Sequence, residues 1–170
     1  RMVDFINKVA GHKPLPSIIV MPELSIPRSF LQIIIPRLER SGISLIAGLE
    51  YAAPRGQSNK RLNQALVTRF VGAGFGSHQV LQTKNEPAWS ERELLQRLVG
   101  ASLQKPSQYP DVPVFGAKGL LFAVLICSDL GNPSFRTVHQ GGIDALFCVE
   151  WNRDLPSFES IVEATTLDLH

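Results

Sequence analysis

The chain has 170 residues, of which 44% are apolar and 19% are charged. This composition excludes a disordered or membrane-embedded chain and predicts one globular domain with its own hydrophobic core. The net charge of +2, without any run of Lys and Arg, gives no indication of nucleic acid or a membrane surface as a partner.

Helices and strands alternate in the first part of the chain. Apolar residues recur at helical spacing over residues 2–9 and predict a first helix. Residues 17–21 form a β-branched apolar run that Pro22 closes, which is typical of a strand buried on both faces. Residues 27–40 carry an apolar stripe and predict a second helix, which Pro36 should kink or split.

A hairpin is predicted in the middle of the chain. Residues 43–49 form a second buried strand, and residues 53–60, rich in Pro, Gly, Ser and Asn, form a loop. Residues 62–71 and 78–83 predict two strands, which the glycine-rich residues 72–76 join. A phosphate-binding loop fits these glycines less well than a turn, because the Lys-Ser/Thr ending is absent.

The second half again mixes helices and strands. A helix is predicted over residues 90–99, with Ser90 as the N-cap and Glu93 three residues later, and a surface loop follows over residues 101–112. The later elements are strands over residues 119–126 and 143–149, and helices over residues 133–140 and 156–169. This mixture favours a layered α/β architecture.

The ends of the chain and its cysteines bear on its context. Both ends lie inside helical patterns, so we expect a piece of a longer protein. Cys127 and Cys148 lack metal-ligand spacing and are too few for a disulfide framework, which favours a reducing cytoplasm. The longest apolar stretch, residues 119–127, is shorter than the ~20 residues that cross a bilayer.

Three polar residues, Glu23, Lys84 and Cys127, each follow a predicted strand. Strand ends are where α/β proteins build their sites, because a rigid sheet holds the side chains in place. Each residue alone also has a structural interpretation: a solvated Glu, a surface Lys and a small core Cys.

Together, the three residues resemble the pattern of the nitrilase superfamily over residues 17–152. Its members carry a Pro-Glu after an early strand, a Lys after a later hairpin, and a Cys with an acidic residue close behind. The matching segments here are Pro22-Glu23, Ile46-Ala47-Gly48, Asn63-Gln64-Ala65-Leu66-Val67, Lys84, Cys127-Ser128-Asp129, Asn132-Pro133 with Arg136, and Trp151-Asn152.

The resemblance implies a catalytic triad for hydrolysis of amides or nitriles without a metal or organic cofactor. Glu23 would act as general base, and Cys127 would attack the substrate carbon. Lys84 would stabilise the charge that develops on the substrate, helped by a backbone N–H near Ser128. Members often have a further Glu that supports the Lys. Glu91 is the first candidate here and Glu93 the second, although acidic residues in a first helical turn can also serve the helix dipole.

The segment Glu150-Trp151-Asn152 corresponds to a substrate-pocket segment in family members. A carboxylate at Glu150 could recognise a cationic substrate or could form a salt bridge away from the pocket. Asp129 is expected to hold the turn after Cys127, and Arg136 to pair with a carboxylate. A Cys127–His139 dyad is an alternative to the triad, although His139 falls near the end of a predicted surface helix.

The resemblance also implies a four-layer α-β-β-α sandwich and association into a homo-oligomer through helices that flank the nucleophile strand. Besides hydrolysis of a small-molecule amide or nitrile, two functions stay open. One is a non-hydrolytic binding or assembly domain of a multidomain protein. The other is an acyltransferase that uses the same triad.

Overall fold

The computed structural model describes residues 1–70, 77–151 and 155–168. Its helices are α1 (Met2–Ala10), α2 (Leu31–Ser41), α3 (Trp89–Val99), α4 (Pro133–Arg136) and α5 (Leu155–Asp168). Its strands are β1 (Ile18–Ile26), β2 (Ser44–Leu49), β3 (Lys60–Arg61), β4 (Gln64–Phe70), β5 (Ser77–Thr83), β6 (Ser102–Leu103), β7 (Val114–Ala117), β8 (Leu120–Ile126) and β9 (Ala145–Val149). None of the helices described is long and apolar enough to span a membrane.

Two sheets form the centre of the fold. The first has the order β1-β2-β4-β5, with β1 parallel to β2 and the other pairs antiparallel. The second has the order β7-β8-β9, with β7 antiparallel and β9 parallel to β8. The short strands β3 and β6 pair separately in parallel.

The two sheets pack face to face through alternate residues of their central strands. From the first sheet come Ile46, Ala65 and Val67, and from the second come Val124 and Ile126, all nearly inaccessible to solvent. Side chains alternate between the two faces of a strand, so the neighbouring residues of these strands face outwards. This arrangement produces a core between the sheets and leaves an apolar outer face on each.

Helices cover both outer faces. Ile6 of α1 and Ile34 and Leu38 of α2 pack against the outer face of the first sheet. Phe135 of α4 and Ile161 of α5 pack against the outer face of the second sheet. The order of layers is therefore helix, sheet, sheet, helix, and the predicted α-β-β-α sandwich is confirmed.

The predictions at two prolines need correction. β1 does not end at Pro22 but continues to Ile26, and its register against β2 shifts after Met21. Such an irregularity accommodates a residue that cannot donate to the ladder. Pro36 does not split α2, which continues on both sides of it.

Other differences concern helix ends and very short strands. α3 begins at Trp89 with Ala88 as the N-cap residue, so Ser90 is not the N-cap. α4 ends at Arg136 rather than at residue 140. The loop predicted over residues 101–112 contains β6, which pairs through two residues and therefore shows no periodicity. The predicted turn at residues 72–76 lies outside the described residues.

Candidate active site

Glu23 lies in the irregular part of β1, where the backbone departs from the regular ladder. The next residue, Leu24, has a φ of 56°, in the left-handed region that L-residues rarely adopt. Glu23 itself is 6% exposed. A buried carboxylate needs hydrogen-bond donors, and its Oε1 accepts from Lys84 Nζ at 2.9 Å and from Asn63 Nδ2 at 2.8 Å.

Lys84 directly follows β5 and is 1% exposed, so its ammonium group is almost completely withdrawn from water. Its Nζ donates to Glu23 Oε1 at 2.9 Å and to Glu91 Oε2 at 2.7 Å. Burial alone would lower the pKa of Lys84, but the two carboxylates outweigh it and hold that pKa above its ordinary value. Lys84 is therefore a permanent cation at neutral pH.

Cys127 directly follows β8 and begins a short 3-10 helix, Cys127–Gly131. Its φ of 48° is again left-handed, and such strain is commonly retained at functional sites. Burial raises the pKa of the Cys127 thiol to about 11, and Lys84 opposes part of that rise. The resting thiol is therefore neutral at pH 7 and requires a base in order to react.

The three side chains line one open cavity of about 1300 Å³. Glu23 and Lys84 belong to the first sheet, whereas Cys127 belongs to the second, so the cavity opens where the two sheets meet. Its walls come from α3 and α5 and include Ala88, Ser90, Glu91, Arg92, Glu93, Leu94, Gln96, Arg97, Phe158 and Ile161.

The structure distinguishes among the acidic residues that follow Lys84. Glu91 contacts Lys84 directly, and burial, which would raise its pKa, is outweighed by Lys84 and by hydrogen bonds that lower it. Glu93 lines the cavity but is exposed. Glu86 accepts hydrogen bonds from Lys105 Nζ at 2.8 Å and Tyr109 OH at 2.9 Å, and it forms part of the surface.

Two polar residues at the site were not among the predicted functional residues. Asn63 is completely buried, and its Nδ2 donates to Glu23 Oε1 at 2.8 Å and to Glu91 Oε1 at 2.7 Å. Tyr51 OH also donates to Glu91 Oε1, at 2.7 Å. In the sequence, Asn63 stands out only as part of a family-like strand start, and Tyr51 carries no signal beyond its place after β2.

Asp129 connects the turn after Cys127 with the segment after Lys84. Its carboxylate accepts from the backbone N–H groups of Asn85 at 3.1 Å and Glu86 at 2.9 Å. Ser128 Oγ donates to the carbonyl oxygen of Glu86 at 2.8 Å. Burial raises the pKa of Asp129 to about 6, although these backbone donors oppose the rise. These contacts agree with the structural role expected for Asp129.

The predicted substrate segment is only partly described. Trp151 is 65% exposed and lines the cavity. Glu150 follows β9, and its Oε2 is buried without a hydrogen-bond partner among the described residues. Burial and then the charge of Glu23 raise the pKa of Glu150. Asn152 lies outside the described residues.

The remaining candidates lie apart from the cavity wall. The ring of His139 contacts the carbonyl oxygen of Val112 through Nε2. Cys148 packs beneath α5 with the apolar cluster on the outer face of the second sheet, and burial raises the pKa of its thiol. Arg136 donates to the carbonyl oxygen of Leu130 at 3.0 Å. Within residues 1–70, 77–151 and 155–168, no group of three or more His, Cys, Asp or Glu side chains could hold a metal ion.

Comparison with solved structures gives matches over nearly the whole chain. Nit3 of Saccharomyces cerevisiae, a member of branch 10 of the nitrilase superfamily, matches with a TM-score of 0.71 and 14% identity over 99% of this chain and 65% of its own. An amidase from Nesterenkonia sp. matches with a TM-score of 0.63 and 16% identity over 96% of this chain and 64% of its own.

A mutant of the amidase from Nesterenkonia sp. AN1, which carries the product of Michael addition of acrylamide to its active-site cysteine, matches with a TM-score of 0.64 and 15% identity over 96% of this chain. The chain spans 65% of the length of that amidase. No protein-family model and no curated protein sequence matches the chain. At these identities, the likeness concerns the fold.

Proposed function

Because the chain has a nitrilase-like fold, we propose that it is a thiol-dependent hydrolase of non-peptide carbon–nitrogen bonds, of the amidase or nitrilase type. One observation carries the proposal. Glu23, Lys84 and Cys127 line a single cavity, and the buried ammonium of Lys84 lies between two carboxylates. A base, a fixed cation and a thiol are the parts that acyl transfer to cysteine requires.

The reaction begins with proton transfer from the Cys127 thiol to Glu23. A thiol with a pKa of about 11 is neutral at pH 7, so the proton must leave as the sulfur attacks. The donors of Lys84 and Asn63 both act on Glu23 Oε1. We therefore assign Oε2 as the oxygen that accepts the proton.

The Cys127 sulfur then forms a bond to the carbonyl carbon, and the electron pair of the C=O bond moves to the oxygen. Lys84 Nζ and the backbone N–H of Ser128 stabilise that oxyanion. When the oxyanion collapses, the C–N bond breaks, and the nitrogen takes the proton from Glu23 and leaves as ammonia or an amine. Water, deprotonated by Glu23, then attacks the thioester and releases the acid and the thiol.

The cavity wall is the basis for assigning substrate contacts. Trp151 lines the same cavity as Cys127, and we propose that Trp151 and Asn152, the next residue in the chain, contact the substrate. Glu150 is not among the residues that line the cavity, but its Oε2 is buried without a hydrogen-bond partner among the described residues, and we propose that it favours substrates with a cationic group. Of the two substrate classes, we propose an amide rather than a nitrile, since two of the matched structures are amidases.

The proposal also covers the cellular compartment and the oligomeric state of the protein. We propose a cytoplasmic enzyme, on the basis of the two free cysteines. We also propose a homo-oligomer formed through the exposed surfaces of α4 and α5. A molar mass by light scattering that stays at one chain across a wide range of concentrations would exclude the oligomer.

The test of the proposed function is covalent labelling with acrylamide, followed by mass spectrometry of the modified peptide. Cys127 and Cys148 are a natural internal comparison, because burial raises the pKa of both thiols. We expect fast labelling of Cys127 that is lost in Glu23→Gln and retained in Cys148→Ala. Equal labelling of the two cysteines, indifferent to Glu23, would contradict the proposal and favour a binding domain.

A further inference from the structure

Tyr51 is a cavity-lining residue that has no part in the mechanism above. It lies in the segment between β2 and β3, and its hydroxyl donates to Glu91 Oε1 at 2.7 Å. Glu91 in turn accepts from Lys84 Nζ through its other oxygen, Oε2, at 2.7 Å. The Glu91 carboxylate therefore links the phenol of Tyr51 to Lys84, the cation proposed to stabilise the oxyanion.

The backbone on both sides of Tyr51 is fixed. The N–H of Glu50 donates to the carbonyl oxygen of Ile26 at 2.9 Å. Ala52 and Leu62 exchange two backbone hydrogen bonds, at 3.1 and 2.7 Å. Tyr51 is thus attached to the first sheet at one side and to the residue before Asn63 at the other, so its ring has a defined place.

The Glu91 carboxylate is held by four donors, and Tyr51 supplies one of them. Tyr51 OH and Asn63 Nδ2 act on Oε1, while Lys84 Nζ and the N–H of Ala88 act on Oε2. Asn63 must also hold Glu23, so it cannot follow Glu91 if that side chain rotates. Burial, and then the neighbouring carboxylate of Glu91, raise the pKa of Tyr51, so its hydroxyl stays a donor.

We propose that Tyr51 is a positioning residue that fixes the Glu91 carboxylate and, through it, the direction of the Lys84 ammonium. The inference rests on the proposed function for the role of Lys84. It also has a consequence that can be measured without turnover of a substrate. The charge of Lys84 lowers the pKa of the Cys127 thiol, so a displaced Lys84 would make that thiol less acidic and less reactive at neutral pH.

The test compares Tyr51→Phe with Tyr109→Phe in the full-length protein. Tyr109 is a matched control because its hydroxyl also donates to a glutamate, Glu86 Oε1 at 2.9 Å, but at the surface. The probe is iodoacetamide, and the rate of alkylation of Cys127 is measured against pH in a Cys148→Ala background. Phe keeps the ring in the cavity wall and removes only the donor.

We expect Tyr51→Phe to slow the alkylation at pH 7 roughly tenfold, as loss of one hydrogen bond to a charged group would, and to move its midpoint to higher pH. Tyr109→Phe should match the wild type. In a Glu91→Gln background, Tyr51→Phe should add little, because both substitutions break the same link. Equal rates and midpoints in Tyr51→Phe and Tyr109→Phe would overturn the inference. Absence of amide turnover in the wild type would instead count against the proposed function, and the alkylation comparison would still be readable.

Discussion

Gly48 of β2 lies directly against the backbone of Glu23: a Cβ atom at Gly48 would be 2.3 Å from Glu23 Cα and 2.7 Å from the carbonyl oxygen of Pro22. No side chain fits there, because both contacts are with backbone. The irregular segment of β1 can therefore approach β2 only over a glycine.

We expect Gly48→Ala to push Glu23 away from Lys84 and to abolish turnover, with a destabilisation of roughly 1–3 kcal/mol typical of overpacking. Gly116→Ala is the control, because a Cβ at that strand glycine would meet only Leu121 Cδ2 at an ordinary 3.5 Å. Turnover and urea unfolding measure both effects. A fully active Gly48→Ala variant would show that the position of Glu23 does not matter.

Removal of the buried cation should affect both chemistry and stability. We expect Lys84→Ala to lower kcat roughly 100- to 1000-fold, as loss of an oxyanion donor does. It should also destabilise the protein by roughly 3–5 kcal/mol, since two buried carboxylates lose their partner. Lys105→Ala, which breaks the exposed pair with Glu86, should leave turnover unchanged.

In the Lys84→Ala variant, the contribution of Glu91 to the pH dependence of stability should change sign. In the wild type the pKa of Glu91 is lowered, so the stability it contributes is lost as the pH falls through its folded pKa. Without Lys84, burial would raise that pKa, and the variant would gain stability on acidification. Denaturant unfolding at a series of pH values tests this, and parallel curves for the two proteins would contradict it.

Glu91 and Glu93 should differ strongly in their effect on turnover. Glu91→Gln puts an amide in place of a carboxylate that receives Lys84, and we expect kcat to fall by at least tenfold, as for loss of a charged hydrogen bond. Glu93→Gln changes an exposed side chain of the cavity wall and should have a much smaller effect. Steady-state kinetics of the two variants give the comparison, and equal losses would place Glu93 beside Glu91 in importance.

Asp129 should make stability fall as the pH rises through about 6. Its folded pKa of about 6 lies above the ordinary 3.8, so the folded state favours the protonated form, and that contribution is lost above pH 6. We expect Asp129→Asn to remove this dependence. It should also cost roughly 1–3 kcal/mol at neutral pH, because one backbone donor would face an amide NH₂. Chemical denaturation between pH 4 and pH 7 gives both quantities.

The α-β-β-α sandwich could be predicted because its main strands and helices have recognisable local sequence patterns. β2 and β8 are continuous apolar runs, and α1 and α2 repeat their apolar residues at helical spacing. The end of β1 was predicted wrongly, because Pro22 usually closes a strand and only the contact with Gly48 shows why the chain continues past it.

The candidate site could be predicted less completely. Lys84 was recognisable at the end of a strand, and Glu91 was the first candidate for its support, but only the packing of α3 shows that Glu91 contacts Lys84. Tyr51 contacts Glu91 across forty positions of sequence, and no local pattern marks such a pair. The resemblance to a family indicates which site residues occur and in which order along the chain. The hydrogen bonds between those residues arise only when the chain packs.

The nucleophile and its base stand on opposite sides of the junction between two hydrogen-bonded sheets. Each sheet could keep all of its internal hydrogen bonds while the two sheets slide past each other or separate. The distance from Cys127 to Glu23 would change first, because no strand pair among the described residues joins the two sheets. They are held together by packed apolar side chains and by the hydrogen bonds of Ser128 and Asp129 to the segment after Lys84. The reactivity of the Cys127 thiol should therefore be lost at a lower denaturant concentration than the circular dichroism signal of the strands. Its loss would report that the two sheets have moved apart.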